Sequence, residues 1–456
     1  MSMTETGLDA IAGVRTYAPG SDGYKQATSP RNSRATQRPF LVAAPTSIDQ
    51  VAAAVRHAAA HDLRVVPQAT GHGAASDLGA DVLLLDTARL NAIQIDAERR
   101  IARVGAGATW GAVDRAAEKV GLLGRAGSAP DVGVSGFTFG GGAGWLTRPY
   151  GLAAGALIAV DFVDGTGYIR RAADDAPDEV DRAALWAYRG GGGVGIAARL
   201  EFELVPVDDL WAGFLLWPIE ALDAVVSAWA RCVPRFGAAL ATSIAVLRAP
   251  SGPPIPQTLQ GQQVVHLAMA SSRGERDAAA LRQALAAGPA PLLDTWGPAD
   301  AAKLGAIHLD PPVAAPTLGM AHWLDDATPS LAVDTLSSAV GSPILMIELR
   351  HVSNTASARA GAASTVAGGF MVHAVGDVAD TDGIPQLEAA FAAVRQASAG
   401  ADTGLTIGSW ADGRSAVPDA LPAHVRERVI AINKTVDPAG VIAPSRFIVG
   451  DDATDG

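Results

Sequence analysis

The chain has 456 residues, 49% hydrophobic and 18% charged, the make-up of a folded protein with room for two or more domains. A net charge of −12 excludes the broad basic surface that nucleic acid or an anionic membrane recognises. One cysteine, Cys232, rules out an intrachain disulfide framework and a cysteine-rich metal site.

Residues 1–39 are polar and irregular, with no basic region leading into a long apolar run, so no signal peptide is expected. No later stretch approaches the ~20 uncharged apolar residues of a membrane span. The expectation is a soluble, cytoplasmic protein with no membrane partner. "TSIDQVAAAVRHAAAHD" predicts a helix, with Ser47 as N-cap, Gln50 closing a capping box, and Val51 and Val55 on one face. "LRVVP" is a short buried strand, and it runs into "QATGHGAAS", a turn that holds His72 between Gly71 and Gly73. "DVLLLD" is a further strand, "IQID" and "IARV" form a hairpin, and Thr109 caps the helix "WGAVDRAAEKVG". A glycine-rich segment fills 126–155; two strands around Asp164-Gly165 follow, then "IAARLEFELVP" alternates like a half-buried strand. Composition changes after Pro206. Residues 207–410 carry most of the tryptophans and several proline-rich loops, with strands at "VVHLAMAS" and "PILMIELRHV". The tail holds the helix "PAHVRERVIAINKTV" and then "DPAGVIAPSRFIV".

"GGGGVG" at 190–195 formally fits G-x-G-x-x-G, but a helical pattern precedes it and a strand follows, the reverse of a dinucleotide fingerprint. The run "GFTFGGGAGWLTRPYG" has two readings: backbone brought close to a flat or anionic ligand, or loops packed tightly on each other. Three glycine loops within the first half favour a large ligand wrapped by backbone. The histidines are scattered, and no metal-binding constellation emerges.

From about residue 40 to 205 these motifs, in this order, resemble the FAD-linked oxidases of the vanillyl-alcohol-oxidase type, in their berberine-bridge-enzyme-like branch. They are the helix before "VVPQATGHG", "VLLLDTARLNAIQID", "ARVGAGATWGAV", "GFTFGGGAGWLTRPYGLAAG" and "ALWAYRGGGGVGIAARLEFEL". "VDPAGVIAPSRFI" is similar to the family's closing segment. The resemblance implies an α+β fold: a two-part FAD-binding domain of the PCMH type over 1–206, a substrate domain on a large antiparallel sheet over 207–410, and a segment 411–456 returning to the FAD domain. It further implies that His72 bonds covalently to the 8α-methyl of FAD. FAD contacts are then expected at Gln68, Ala69, Thr70, Gly71 and Gly73, and at Ala129, Val132, Gly133, Gly136 and Phe137. Gly140, Gly141, Gly142, Gly144, Tyr150, Gly195 and Ile196 complete the expected set. Ala129 stands where many members carry a second flavin-linking cysteine, so a single covalent bond is expected. Phe137 replaces a common histidine, Gln68 to Gly71 replace the usual arginine-containing turn, and Val132 matches a position that leaves space for dioxygen.

The family's chemistry is hydride transfer from a substrate C–H to flavin N5, with dioxygen taking the electrons as hydrogen peroxide. A small organic substrate (an alcohol, a sugar or a secondary metabolite) is implied; a dehydrogenase, a flavin-oxygenating monooxygenase and a degenerate flavin-binding protein are the alternatives. In "IELRH", Glu348 and Arg350 share one strand face and Leu349 and His351 the other. Glu348 is the expected base or substrate-binding carboxylate, with Arg350 as its partner; a structural salt bridge is the competing reading. His322, His351 and His373 are either substrate-facing polar groups or structural residues, the second being the commoner fate of a lone histidine; Trp145 and Trp186 are expected to fill core rather than stack on substrate, and Tyr150 either to donate near FAD or to pack. The family's tyrosine near the end of the substrate domain is replaced by "GSWADG", with Trp410. Oligomeric state is not legible.

Overall fold

The computed structural model describes residues 11–310, 313–353 and 358–448. Helix Ile48–Ala60 forms as its pattern predicts, with the Gln50 N–H donating to the Ser47 hydroxyl. The return bond of the expected capping box is displaced by one residue: the Gln50 side-chain oxygen accepts from the Thr46 N–H at 2.7 Å. Val51 and Val55 are fully buried because this helix lies between two sheets. They share a core with Leu83 and Leu85 of the first sheet and with Val163 and Ile196 of the second.

The first sheet has four strands, in the order Arg15–Tyr17, Leu41–Ala44, Val82–Asp86 and Arg64–Gln68. The last three are parallel and the first is antiparallel. The expectation of an irregular N-terminal stretch is thereby corrected: it contributes that edge strand and the Ser21-capped helix Asp22–Ala27. Each is too short to repeat a hydrophobic period, and Tyr24 is the helix's one buried side chain.

The second sheet has five strands, in the order Ile93–Asp96, Ile101–Gly105, Ile196–Glu203, Leu157–Val163 and Ile169–Ala173, all antiparallel. Both expected hairpins, 93–105 and 157–173, are part of it. Helices Trp110–Ala117, Glu179–Tyr188 and Ala423–Val436 share its core. The tail also reaches the first sheet: the Val65 N–H donates to the Val441 carbonyl at 2.7 Å, and the Ala443 N–H to the Val65 carbonyl at 3.0 Å.

The third sheet has eight strands, all antiparallel. Its long members lie in the order Trp211–Pro218, Gln263–Ser271, Leu240–Arg248, Ile344–His351, Phe370–Asp377 and Thr317–Leu324. Strand parity gives it two distinct faces. Ile244, Val246, Leu267, Ile347, Leu349 and Val372 point to one, which helices Leu222–Cys232, Glu275–Leu285, Pro329–Ser337 and Ile384–Ser398 cover. The other face turns to the N-terminal half. Phe214, Leu216 and Ala268 meet Leu123, Trp145 and Leu146 there, and Trp323 and Met371 meet Ala143, Leu152 and Trp410. Among the described residues, no helix is long and apolar enough to cross a membrane.

Candidate active site

The His72 turn is held from both sides. The Gln68 carbonyl accepts from the Thr87 N–H at 2.8 Å, and its side-chain amide bonds to the Ala27 carbonyl and the Gln37 amide. The Thr70 and Gly71 carbonyls accept from the Arg31 and Asn32 N–H groups at 3.1 and 3.0 Å. Gly71 has φ +74°, and a Cβ there would lie 2.4 Å from the Pro30 Cβ, so the residue is required both for its left-handed backbone and for its close approach. His72 Nε2 is 3.1 Å from Asp131 Oδ1, and Asp131 Oδ2 accepts from Arg31 Nε at 2.9 Å. The His72 imidazole beside it, joined by the hydrogen bond from Arg31, holds the Asp131 carboxyl well below the usual carboxylate range.

The glycines expected to touch FAD fall into two groups. Gly136 is exposed with nothing within 4 Å of a Cβ position, and Gly133 faces Ala69 and Thr70 across 3.4–3.5 Å. Gly133 thus packs helix Val134–Phe139 against the His72 turn, and the exposed Gly136 edge beside it is the open side of the cradle. Gly140, Gly142 and Gly144 instead let loops pack: a Cβ on them would lie 2.8 Å from Ser409 N, 2.7 Å from the Ala153 Cβ and 1.8 Å from the Ala126 carbonyl. Gly141 abuts Ile407, and Gly195, at φ +75°, abuts Phe162 and Val163. The Ile196 side chain belongs to the core around helix Ile48–Ala60. The Tyr150 hydroxyl donates to the Pro206 carbonyl at 3.0 Å, the packing alternative for that residue. Phe137 packs edge-on against Trp110 and offers no polar contact. Val132 is half-buried, its carbonyl accepting from the Trp110 N–H, and Ala129 is half-buried in the same loop. Cys232 ends a helix that packs in the core of the third sheet's other face, and burial pushes its thiol up.

The sheet face turned to this cradle carries a buried charged cluster. Antiparallel register sets Leu216, His266, Ala245, Glu348, His373 and Ala321 in one row across the strands. Ser243 and Arg350 are paired in the next row. Glu348 is fully buried. Arg350 grips it by Nη2 to both carboxylate oxygens and by Nε at 3.2 Å, and the Ser243 hydroxyl donates to it. His308 Nε2 stands 3.4 Å from Glu348 Oε2, and His308 Nδ1 is 3.1 Å from Asp310. His373 Nδ1 is 3.8 Å from Glu348 Oε1, and His373 Nε2 is 3.1 Å from Asp412. The Arg350 guanidinium lies between the Trp145 and Trp410 rings, 4.3 and 4.8 Å from their centroids.

These contacts fix the charge states. Burial opposes ionisation of Glu348, but Arg350 and His308 outweigh it and hold the carboxyl well below its usual range. Burial likewise works against a charged His308, yet Glu348 and Asp310 raise it to about 9. His266 is pushed down to about 3 by burial and then by the charge of His308, and its Nε2 bonds to the Ile307 carbonyl. Asp412 is held low against burial, first by His373 and then by Arg446 and His72. Arg446 ties the cluster to the His72 turn: its Nη2 lies 3.5 Å from where a Gly73 Cβ would sit, and the side chain donates to the Ala411 and Gly408 carbonyls.

Glu348 and Arg350 thus meet as strand parity predicts, and Trp145 is buried core that also stacks on Arg350. Trp186 stacks under Arg428, away from the cluster. His322 and His351 face the helix side; their Nε2 atoms contact the Ser398 and Ser353 hydroxyls. Sequence reasoning missed His308, Asp310 and Asp412, and took His373 for a structural residue. His373 sits in the apolar run "FMVHAVGD", where only the register with Glu348 reveals its side.

Residues 39–173 match the family model described as FAD binding domain. The chain carries an FAD binding domain. FAD is its cofactor, and the open cradle beside His72 fits a group of that kind. Over 204 residues the flavoprotein is 33% identical to (R)-6-hydroxynicotine oxidase of Paenarthrobacter nicotinovorans, covering 44% of this chain and 43% of that relative. Over 214 residues it is 31% identical to an FAD-linked oxidoreductase of Dictyostelium discoideum, covering 46% of each. The chain thus matches less than half the length of these curated relatives. Its fold is that of the berberine-bridge-enzyme-like (BBE-like) flavoproteins. The crystal structure of 6-hydroxy-D-nicotine oxidase from Arthrobacter nicotinovorans superposes with a TM-score of 0.79 at 21% identity, over 95% of this chain and 97% of that one. BBE-like 1 of Physcomitrella patens gives 0.79 at 18% identity, over 96% and 98%.

Proposed function

We propose that this flavoprotein is an FAD-linked oxidase that oxidises a small organic molecule held between the third sheet and the His72 turn. In this reading residues 1–206 and 411–456 hold the cofactor and 207–410 the substrate, and His72 is the single covalent tether. Bound FAD supplies a two-electron acceptor for a hydride and an outlet for those electrons to dioxygen.

The observation that carries the reading is the charged cluster on the one sheet face that looks toward the FAD cradle. A buried salt bridge remote from any ligand would be a costly ornament. Here Arg350 Nη1, Trp145 Nε1 and His373 Nδ1 are buried without a hydrogen-bond acceptor, which is how a site awaiting a polar ligand looks. Glu348, clamped by Arg350, is an ionised acceptor for a substrate O–H or N–H and a weak base. His373 is better placed to take the proton. Asp412 accepts from its Nε2, and a proton arriving on Nδ1 faces the Glu348 carboxylate. Of the two roles expected for Glu348, base or substrate-binding carboxylate, this reading takes the second.

The test is anaerobic mixing of the purified holoprotein with a panel of alcohols, sugars and cyclic amines, followed by flavin absorbance and then by peroxide release on admitting air. The expected result is bleaching by at least one class and its loss in Glu348→Gln. Reoxidation by dyes but not by air would overturn the oxidase assignment in favour of a dehydrogenase. A substrate that bleaches wild type and Glu348→Gln at equal rates would overturn the site.

A further inference from the structure

We infer that Asp131 is the positioning residue that readies His72 for attachment to FAD, by holding the imidazole in the tautomer whose Nδ1 lone pair is free; this rests on the reading of His72 as the covalent tether. The geometry around the imidazole is one-sided. Its Nε2 is buried and has no aligned hydrogen bond, and the carboxylate that answers it is Asp131, 3.1 Å away. A carboxylate can only accept, so the hydrogen of the neutral ring belongs on Nε2 and the lone pair on Nδ1. The carboxylate is itself fixed. Arg31 donates to it from Nε at 2.9 Å, while the Arg31 backbone N–H holds the Thr70 carbonyl at 3.1 Å. One segment therefore braces both the turn and the group that orients its histidine.

The chemistry of attachment asks for such a partner. A bond forms between Nδ1 and the 8α carbon, and one C–H bond of the methyl breaks. The imidazole becomes cationic as Nδ1 is substituted, beside the Asp131 carboxylate, and then releases the Nε2 proton. Two electrons and two protons leave on dioxygen, the oxidant, as hydrogen peroxide. The balance is methyl plus imidazole plus dioxygen giving the linked pair plus peroxide. Asp131 contributes by fixing the tautomer and by lying next to the charge that develops.

The experiment uses the full chain as wild type, Asp131→Ala, Asp131→Asn, Asp131→Glu and His72→Ala, each expressed with limited flavin and then given FAD. The yellow colour that survives acid precipitation is followed against time, and FAD released to the supernatant reports binding without attachment. Wild type should become covalently yellow. Asp131→Ala and Asp131→Asn should bind FAD yet attach it on the order of ten- to a hundredfold more slowly, the range of one charge-assisted hydrogen bond to an ion formed in the step. Asp131→Glu should recover part of the rate, which a merely structural role would not produce, and NMR of the wild-type flavin peptide should find Nδ1 substituted. Attachment by Asp131→Ala at the wild-type rate, or substitution at Nε2, overturns the inference while leaving the tether intact. A colourless wild-type pellet beside a yellow supernatant overturns the tether itself.

Discussion

Replacing His308 with glutamine tests the charge state of the cluster without touching the Glu348–Arg350 pair. In the folded protein the His308 imidazolium persists to about pH 9, against 6.5 for an ordinary histidine. A raised folded value means a contribution that is complete below pH 6.5 and disappears as the pH climbs through 9. The two values differ by about 2.5, and at about 1.36 kcal/mol per tenfold in proton affinity the contribution is about 3 kcal/mol. No discount for solvent screening applies, because His308 is 4% exposed. Urea unfolding followed by tryptophan fluorescence should therefore find wild type more stable than His308→Gln by about 3 kcal/mol at pH 6, with the curves converging by pH 9.5. Buried Asp114, pushed up to about 7, titrates partly in the same window, but it is common to both proteins and cancels in the difference. A gap between the two proteins that is the same at both pH values would refute the reasoning, since His308 would then contribute packing and no charge.

Glu348→Gln should cost about 3–5 kcal/mol in unfolding free energy at pH 7, because it leaves Arg350, 1% exposed, without its counter-charge. Adding Arg350→Met should restore part of that loss, and a double variant less stable than Glu348→Gln alone would argue against an uncompensated charge. Gly71→Ala should cost more than Gly404→Ala, although both have φ +74°. Only Gly71 has Pro30 2.4 Å from the new Cβ, whereas Gly404 has nothing within 4 Å. Left-handed strain alone is worth about 1–3 kcal/mol. Thermal unfolding of the pair isolates the Pro30 contact, and equal losses would mean that the turn yields without cost.

How far the sequence reached depends on whether the information was local. Ser47, Thr109, the hairpin turns and the alternation around Glu348 are local signals, and each element formed at its predicted place. Leu41–Ala44 and Arg15–Tyr17 escaped because three or four residues cannot display a period. The glycine-rich stretch was legible as a motif and ambiguous as physics, and most of its glycines show the tight-packing reading. Gly136 borders open space, while Gly133 packs on Ala69 and Thr70, and Gly140, Gly142 and Gly144 let loops pack against Ser409, Ala153 and Ala126. Nothing in "AIHLD" or "GSWADG" announces that Asp310 and Asp412 will each orient a histidine toward the same carboxylate. That convergence is made by chain segments about a hundred residues apart, brought together when the sheet assembles.

One rule then sorts the histidines that composition could not. Counting from Glu348 along its strand, His351 is an odd step away and falls on the helix-covered face with Leu349. The register carries the same parity to neighbouring strands. His322 pairs with Val372, which pairs with Leu349, so it too lies under the helices and ends on Ser398. His373 and His266 fall in the Glu348 row, on the face turned to the N-terminal half. Their fates diverge for an electrostatic reason. His266 has no carboxylate in contact, bonds to a backbone carbonyl and is driven to its neutral form, whereas His308 and His373 each touch two carboxylates. In the proposed site a proton leaving a substrate at Glu348 would therefore meet His373 and not His266, and exchanging Asp412 for asparagine should slow anaerobic flavin bleaching while leaving the neutral His266 side of the row unchanged.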